Sequence, residues 1–578
     1  MNNEPAQSSP GAETDSRDNR GKNGLLKSLA VYADRRMLVM LALGFAAGLP
    51  NLLVFDTLSA WLRDSGLSLE VISFFSLATL SYSFKFLWAP LIDRTTVPVL
   101  TRRLGHRRSW MLVAQGAVIA GLLAIAGSNP KANLLGVAVF AVLTGFASAT
   151  QDIVVDAWRI EAAEITRQGA MAAAYQWGYR IAIIVAGAVP LVLADLVGWN
   201  VSYGATAALM LIGTVAVFGA PREKAHTIRA IAVGALKAAP AREALEWCVR
   251  LLMVVAGAVL LGSGLGANAD LLARIADTIG LSGATLTAAW NAKSSLAAVF
   301  QLSSVLAGFL VIGLAAAPIP GVRTRPGLYL FHALGDPLTD FFSRFGRTAF
   351  LILALICVYR LSDFVLNIMT PFYLDLGFSK TQVAEVRKIF GVVLSMAGVF
   401  IGGLSVARFG ILRSLVVGAF ALPITNTIFA WLATQGPNLP SLYVAIGVDN
   451  VVSGYAGTCL VAYMSSLTSV GFTATQYALF SSLYSLPGKL IASQSGRIVE
   501  TAAHAAEGDG YLSSLRQLFA HAPAGAFASA MQKSHVDPAA LGSGYVVFFV
   551  YSGLVGIASM VLTVLVARFQ SRTQNPKP

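Results

Sequence analysis

Charge is scarce in this chain. Asp, Glu, Lys and Arg make up 12% of its 578 residues and hydrophobic residues 56%, whereas an ordinary soluble protein carries about 25% charged residues. The mean hydropathy is +0.67. That balance excludes a water-soluble fold, because too few polar side chains remain to cover a domain of this length. Cysteine is nearly absent: Cys248, Cys357 and Cys459 stand far apart in apolar stretches, which excludes a disulfide framework and a cysteine-built metal site. No Walker-type phosphate loop occurs, since Pro487-Gly488-Lys489 lacks both the spacing and the following Ser or Thr, so direct ATP coupling is not expected. The six histidines, His106, His226, His332, His504, His521 and His535, all fall in expected loops, so a proton relay through the membrane has to use carboxylates. The loops hold no His-carboxylate or metal-ligand arrangement, which speaks against an enzyme. The first 36 residues have no apolar core, so a cleavable signal peptide is not expected and residues 1–36 read as a disordered cytoplasmic tail.

What is present is a succession of long apolar runs. A hydrocarbon core of about 30 Å takes about 20 helical residues to cross. By that measure one group of six spans falls at roughly 37–62, 69–92, 109–128, 133–158, 169–195 and 200–219. A second six falls at roughly 348–374, 382–405, 413–434, 441–467, 474–498 and 543–568. Two further segments, at roughly 247–267 and 295–316, form a hairpin inserted in the linker 220–347. The expected fold is an all-α polytopic membrane protein of about fourteen spans.

The net charge of +13 does not mark a nucleic-acid protein, because the basic residues form short runs between apolar stretches. Arg94, Arg102, Arg103, Arg107 and Arg108 follow the second run, Arg222, Lys224, Arg229, Lys237 and Arg242 the sixth, and Arg323, Arg325, Arg344 and Arg347 precede the third group. Cytoplasmic loops carry such excess. Both ends, including the tail 571–578, are therefore expected in the cytoplasm and the long Ala-rich segment 499–542 in the periplasm, as part of a bundle over 348–570. After the second run, Pro90-Leu91-Ile92-Asp93-Arg94 leads into Gly105-His106-Arg107-Arg108. A weaker echo stands at Gly403–Gly410 with Arg413, where Ala407 replaces the acidic residue. This pair resembles the loop signature of the major facilitator superfamily, which implies two six-helix bundles, here with the inserted hairpin, rocking about a site at mid-membrane. Asp93, Arg94, Arg107 and Arg108 are its gating-loop residues.

Ionisable residues inside a span are functional candidates. Arg180, Arg360, Asp449 and Lys489 fall at mid-bilayer depth, and Asp363 lies one turn from Arg360, close enough to pair with it. Lys85 and Asp152, with Asp156 one turn further, share the cytoplasmic third, and depth and sign predict a Lys85–Asp152 ion pair, serving either packing and gating or substrate contact. Asp56, near the outer end of the first span, reads as facing water. Asp152, Asp156, Asp363 and Asp449 are the carboxylates available for proton coupling, or else fixed counter-ions. Tyr175, Gln176, Trp177 and Tyr179 accompany Arg180, Tyr82 accompanies Lys85, Tyr359 accompanies Arg360, Asn450 follows Asp449, and Tyr484 precedes Lys489. Flat rings with polar edges suit sugar faces and peptide groups. Gly44 and Gly48, and Gly398 and Gly402, have the spacing of close helix contacts. Pro50, Pro371 and Pro487 are expected to interrupt the first, seventh and eleventh spans.

The stretches GFAAGLPNLLVFDTLSAWL, SFKFLWAPLIDR, ASATQDIVVDAWRIE, GYRIA, DPLTDFF, YRLSD and FTATQYALFSSL resemble the AmpG muropeptide permease family of Gram-negative bacteria. The resemblance runs from the first span to the eleventh and weakens through the hairpin and the segment 499–542. It implies a proton-driven carrier of the inner membrane with no cofactor and no bound metal. Its substrate is the disaccharide N-acetylglucosaminyl-1,6-anhydro-N-acetylmuramic acid with or without its stem peptide, imported for wall recycling and, where a β-lactamase is inducible, as inducer. Gln151, Asp152, Asp156 and Arg180 take family weight from the matched stretches. Arg360 stands where the family leads one to expect Lys, Lys489 where Arg, and Asp449 where Glu. Charge sign survives at each, but Arg and Lys differ in hydrogen-bond geometry. The competing readings are an acetyl-CoA, organic-anion or drug carrier of the same superfamily and a membrane receptor for wall fragments. A monomer is expected.

Overall fold

The computed structural model describes residues 34–66, 82, 84–222, 239–265, 269–291, 295–320, 322–364, 368–492, 495–508, 510–523, 525–528 and 535–574. Apolar runs become helices here because only a helix satisfies its own backbone in lipid. The first half comprises α1 (Arg35–Leu52), α2 (His106–Ala126), α3 (Leu134–Ala162), α4 (Gln168–Val197) and α5 (Trp199–Leu209), which continues after a turn at Met210 as Leu211–Gly219. The linker contributes α6 (Pro240–Leu265), α7 (Ser295–Ala316) and α8 (Arg325–Phe345). The second half holds α9 (Thr348–Val358), α10 (Gly391–Phe409), α11 (Ile411–Gln435), α12 (Leu439–Ser466), α13 (Thr473–Ala492) and α14 (Pro538–Gln574).

Ten helices among the described residues are long and apolar enough to cross a membrane, and eleven if α8 and the helix after it, bent by 112°, form one broken span. Of the four expected spans outside the ten, three have a physical reason and one lies mostly outside the described residues. The first is divided by a π-helical turn, Leu53–Thr57, between α1 and Leu58–Asp64. Most of the second, 69–92, lies outside the described residues. The seventh breaks into α9, Leu361–Phe364 and Met369–Leu376. The eleventh, α13, is rich in Ser, Thr and Tyr. Pro487 sits within α13 without ending it, and the break in the seventh span precedes Pro371, so these two prolines do not interrupt where expected. His106, His332 and His504 lie on helices, not in loops. The side chain of Asp56 lies outside the described residues.

Helix contact depends on missing side chains. A Cβ on Gly178 of α4 would stand 1.9 Å from the Leu41 carbonyl oxygen of α1, and one on Gly44 would stand 2.2 Å from that of Tyr175. In the second half a Cβ on Gly398 of α10 would stand 2.0 Å from the Val451 oxygen of α12. Backbones this close leave room for glycine alone. Gly398→Val is therefore expected to lower stability by about 1–3 kcal/mol, read as a lower unfolding midpoint in detergent, while Gly116→Val, which meets nothing within 4 Å, leaves the midpoint unchanged.

α6 and α7 meet the same way at Gly257 and Gly308 and rest on the first half through Leu261, Val305 and Ile312 against Phe84 and Trp88. The segment 499–542 is no open loop. Its helix Ser495–Ala506 and turn Ser513–Phe519 pack on α14, with Phe527 stacked on Tyr545 at 5.8 Å.

Candidate functional site

One end of the molecule is closed by polar contacts between the halves. Asp93 ends the short helix Ala89–Arg94 and is fully buried. Its carboxylate accepts hydrogen bonds from Arg107 Nη2 at 2.7 Å, from the Thr475 backbone N–H at 2.8 Å and from Thr475 Oγ1 at 2.7 Å. An acid of the first half thus sits on the N-terminus of α13 of the second, where helix N–H groups and dipole favour negative charge. Arg107, also fully buried, is shared with Glu161 at 2.7 Å. Arg94 donates to the His332 carbonyl at 3.1 Å and to Asp336 at 3.4 Å, and lies over the Phe472 ring. Arg108 donates to the Val217 and Phe218 carbonyls, the end of the sixth span.

α8 is amphipathic and bridges both halves. Beside Asp336, which meets Arg94, its Asp340 accepts from Ser469 Oγ at 2.7 Å and Gln476 Nε2 at 3.0 Å and pairs with Arg344. Burial alone pushes the Asp340 carboxyl up, but the Ser469 and Gln476 hydrogen bonds and the Arg344 charge together hold it below its ordinary range. Deeper, Arg159 is fully buried, donating to Ser465 Oγ at 2.9 Å and pairing with Asp156 at 3.3 Å over the Tyr477 ring.

A second polar cluster lies further along α4, where Arg180, 12 residues on from Gln168, stands about 18 Å from that closed end. Gln176 donates to Thr458 Oγ1 at 3.1 Å and Trp177 to the Met396 carbonyl at 2.8 Å. These are the deepest cross-half hydrogen bonds among the described residues, and none crosses from the outer half of α4. Arg180 has no hydrogen-bond or ion-pair partner among the described residues, yet it lies in electrostatic reach of Arg360, Asp363 and Tyr484 across the interface. Arg360 stands at the break in the seventh span and pairs with Asp363, its Nε 2.8 Å from Oδ2. It also donates to Tyr484 OH at 3.2 Å and Ser453 Oγ at 2.6 Å. Its Nη1 lies 3.1 Å from where a Gly457 Cβ would be. Arg360 is thus held by Asp363, with Asp449 also in electrostatic reach, while Arg180 beside it has no bonded carboxylate among the described residues, an arrangement that offers forked donors to an anion.

On the first-half wall, Gln151 is fully buried and neither of its side-chain polar atoms finds a protein partner, nor does Asp152 Oδ1. Buried polar atoms left open this way ask for an explanation, and a polar ligand is one. The expected Lys85–Asp152 ion pair is not formed: both are buried, and Lys85 acts on Asp152 through space with Asp156 and Tyr175 also near. The 3₁₀ turn Lys85–Leu87 sets the ammonium on a tighter path than the continuous helix that depth counting assumed.

Tyr359 does not line the interior. It is fully buried among apolar side chains, its hydroxyl donating to the Leu415 carbonyl at 2.9 Å. Tyr359→Phe is accordingly expected to cost about 1 kcal/mol of stability and to leave uptake within twofold of wild type. Trp177 likewise serves the helix interface through Met396, and Tyr82 holds Ser148 at 2.7 Å. Asp449 meets Thr425 at 3.4 Å and Asn450 its own helix at Ile446. The side chain of Lys489 lies outside the described residues.

Sequence reasoning missed Arg159, Glu161, Ser453, Asp340 and Gln476. Arg159 was within reach as the i+3 partner of Asp156. Asp340 and Gln476 lie in the stretches DPLTDFF and FTATQYALFSSL, but only the fold brings those stretches together.

The major facilitator superfamily model matches residues 58–492. The anhydromuropeptide permease of Escherichia coli strain K12 is 28% identical over 475 residues, covering 82% of this chain and 76% of that protein. A putative transporter AmpG 4 of Rickettsia felis is 26% identical over 472 residues, covering 81% and 91%. The solved proton:xylose symporter XylE aligns over 92% of this chain and 95% of its own with a TM-score of 0.49 and 10% identity. The chain belongs to the major facilitator superfamily, a multi-pass membrane transporter whose relatives over most of its length are named AmpG or anhydromuropeptide permease.

Proposed function

We propose that this protein is a muropeptide importer of the bacterial inner membrane. It carries N-acetylglucosaminyl-1,6-anhydro-N-acetylmuramic acid, with or without stem peptide, from periplasm to cytoplasm with protons, for wall recycling and supply of a β-lactamase inducer. The observation that carries the reading is the Arg180–Arg360 pair across the two halves, in which Arg360 is held by Asp363 and Arg180 has no bonded carboxylate among the described residues. Muramic lactyl and stem-peptide carboxylates fit such donors, and the similarity to a named anhydromuropeptide permease narrows the anion to this class. The basic runs support a cytoplasmic position for the Asp93 end and both termini, which makes the closed end the inward one in this reading. One copy contains both walls of the pocket, in keeping with a monomer.

Proteoliposome uptake tests this. Labelled anhydro-disaccharide tripeptide is expected to accumulate under an inward proton gradient and to stop when a protonophore collapses it. Uptake of acetyl-CoA with no response to muropeptides would refute the reading.

A further inference from the structure

A polar cavity of about 200 Å³ lies in the second half, lined among others by Asp363, Tyr373, Arg387, Asp449 and Asn450. Asp363 stands between this cavity and the anion pocket: it is the partner of Arg360 on one side and a wall of the cavity on the other. Asp449 is on the far wall, with a single weak hydrogen bond from Thr425 at 3.4 Å. The charged and titratable groups facing it from the neighbouring elements are Asp363 and Arg360 of the broken seventh span, Arg387 of the π-helical turn Glu385–Phe390, and Tyr373 of Met369–Leu376. Arg387 is exposed, bonds Thr370, and sits at the start of the run that becomes α10, the end opposite the Asp93 gate. π turns of this kind recur at functional positions.

The geometry points to this cavity as the proton-coupling site, with Asp363 as the exchange residue that links it to substrate. The inference rests on the proposed muropeptide reading. A substrate carboxylate entering between Arg180 and Arg360 competes with Asp363 for the Arg360 guanidinium. Asp363, released from its counter-ion, then faces Asp449 across the cavity. With Arg360 drawn to the substrate, the two facing carboxylates share the cavity with Arg387 as its lining cation, and their mutual repulsion favours one of them taking a proton from the side where Arg387 is exposed. The charges balance: one anionic carboxylate and one proton enter together, and the cavity and pocket keep the net charge they had. When the carboxylate leaves on the other side, Asp363 regains Arg360 and the shared proton departs. Arg360 is thus a binding residue, and Asp363 and Asp449 are the residues that make binding and protonation conditional on each other.

The test uses the full-length protein in proteoliposomes with labelled anhydro-disaccharide tripeptide. Three quantities are read: exchange without a gradient, accumulation with one, and substrate-triggered proton entry from an internal pH dye. Wild type is expected to show all three. In Asp449→Asn the ratio of accumulation to exchange is expected to fall at least tenfold and substrate-triggered proton entry to vanish, while Asp449→Glu restores both. Should Asp449→Asn fail to reach the membrane, Asp363→Asn gives the same readout, since it also removes one of the two acids. Full accumulation and proton entry in either neutral variant would overturn the coupling scheme while leaving the muropeptide reading in place. Wild-type protein that exchanges no muropeptide would instead overturn the muropeptide reading itself.

Discussion

Arg180→Ala is expected to reduce muropeptide uptake about 10- to 150-fold with membrane expression unchanged. The guanidinium of Arg180 has no partner among the described residues, so its loss strands no buried counter-ion and the fold has little reason to suffer. What is lost is the forked contact to the substrate anion, and a charge-assisted pair of this kind contributes about 1.5–3 kcal/mol, where each 1.36 kcal/mol is about tenfold. Arg180→Lys keeps the charge but not the planar fork and should fall between. The measurement is initial uptake rate in proteoliposomes normalised to protein. Wild-type rates in Arg180→Ala would remove this residue from the pocket. Arg360→Ala is a poorer probe, because it also leaves Asp363 without its cation.

The second large effect is expected at the gate. Asp93→Ala removes the acceptor of Arg107 and of the first N–H groups of α13 at once. The Arg107 pair lies within the first half and is lost in either conformation, whereas the charged hydrogen bonds to α13 exist only while the halves touch, so their loss, about 1.5–3 kcal/mol, falls on the inward-closed state. A bias of about 1.5–3 kcal/mol shifts a two-state population by roughly 10- to 150-fold. Ala478 lies on α13 one turn beyond Ala474, buried in the core shared by the halves. A cysteine placed there is expected to react with a thiol reagent from the cytoplasmic side at least ten times faster in Asp93→Ala. Uptake falls at the same time, because a carrier held open inward does not return. Equal labelling rates in the two backgrounds would show that Asp93 does not hold the gate. At the α8 bridge, the depressed Asp340 carboxyl keeps its charge above the usual carboxylate range and loses it only as pH falls through its own lower value, so the bridge persists at neutral pH.

The sequence made the superfamily, the bundle order and the gating loop legible because each is written in local pattern. Apolar length marks spans, basic runs mark sides, and Asp93 with Arg107 follows a fixed spacing. The pairing of Arg360 with Asp363 was legible for the same reason, being a contact within one helical turn. What pattern could not reach were contacts made across the halves. Asp93 capping α13, Asp340 holding Gln476 and Arg159 meeting Ser465 join residues more than a hundred positions apart, and no periodicity encodes that. The Lys85–Asp152 pairing failed where the helix is not regular, since the 3₁₀ turn at Lys85 places the side chain where a uniform rise does not. Tyr359 illustrates the other error, since adjacency to a functional residue in sequence put it on the pocket whereas a helix turns its neighbour by about 100°. The amphipathic α8 was hidden because its apolar face packs against protein and its run is too polar to read as a span.

If Arg180 and Arg360 together bind a muropeptide anion, equilibrium binding to the purified protein reads it out. Labelled anhydro-disaccharide tripeptide should bind saturably, be displaced by the unlabelled compound and not by a neutral disaccharide, and lose at least about tenfold in affinity in Arg180→Ala. Saturable binding with the same affinity in wild type and Arg180→Ala, or none in wild type, would contradict it.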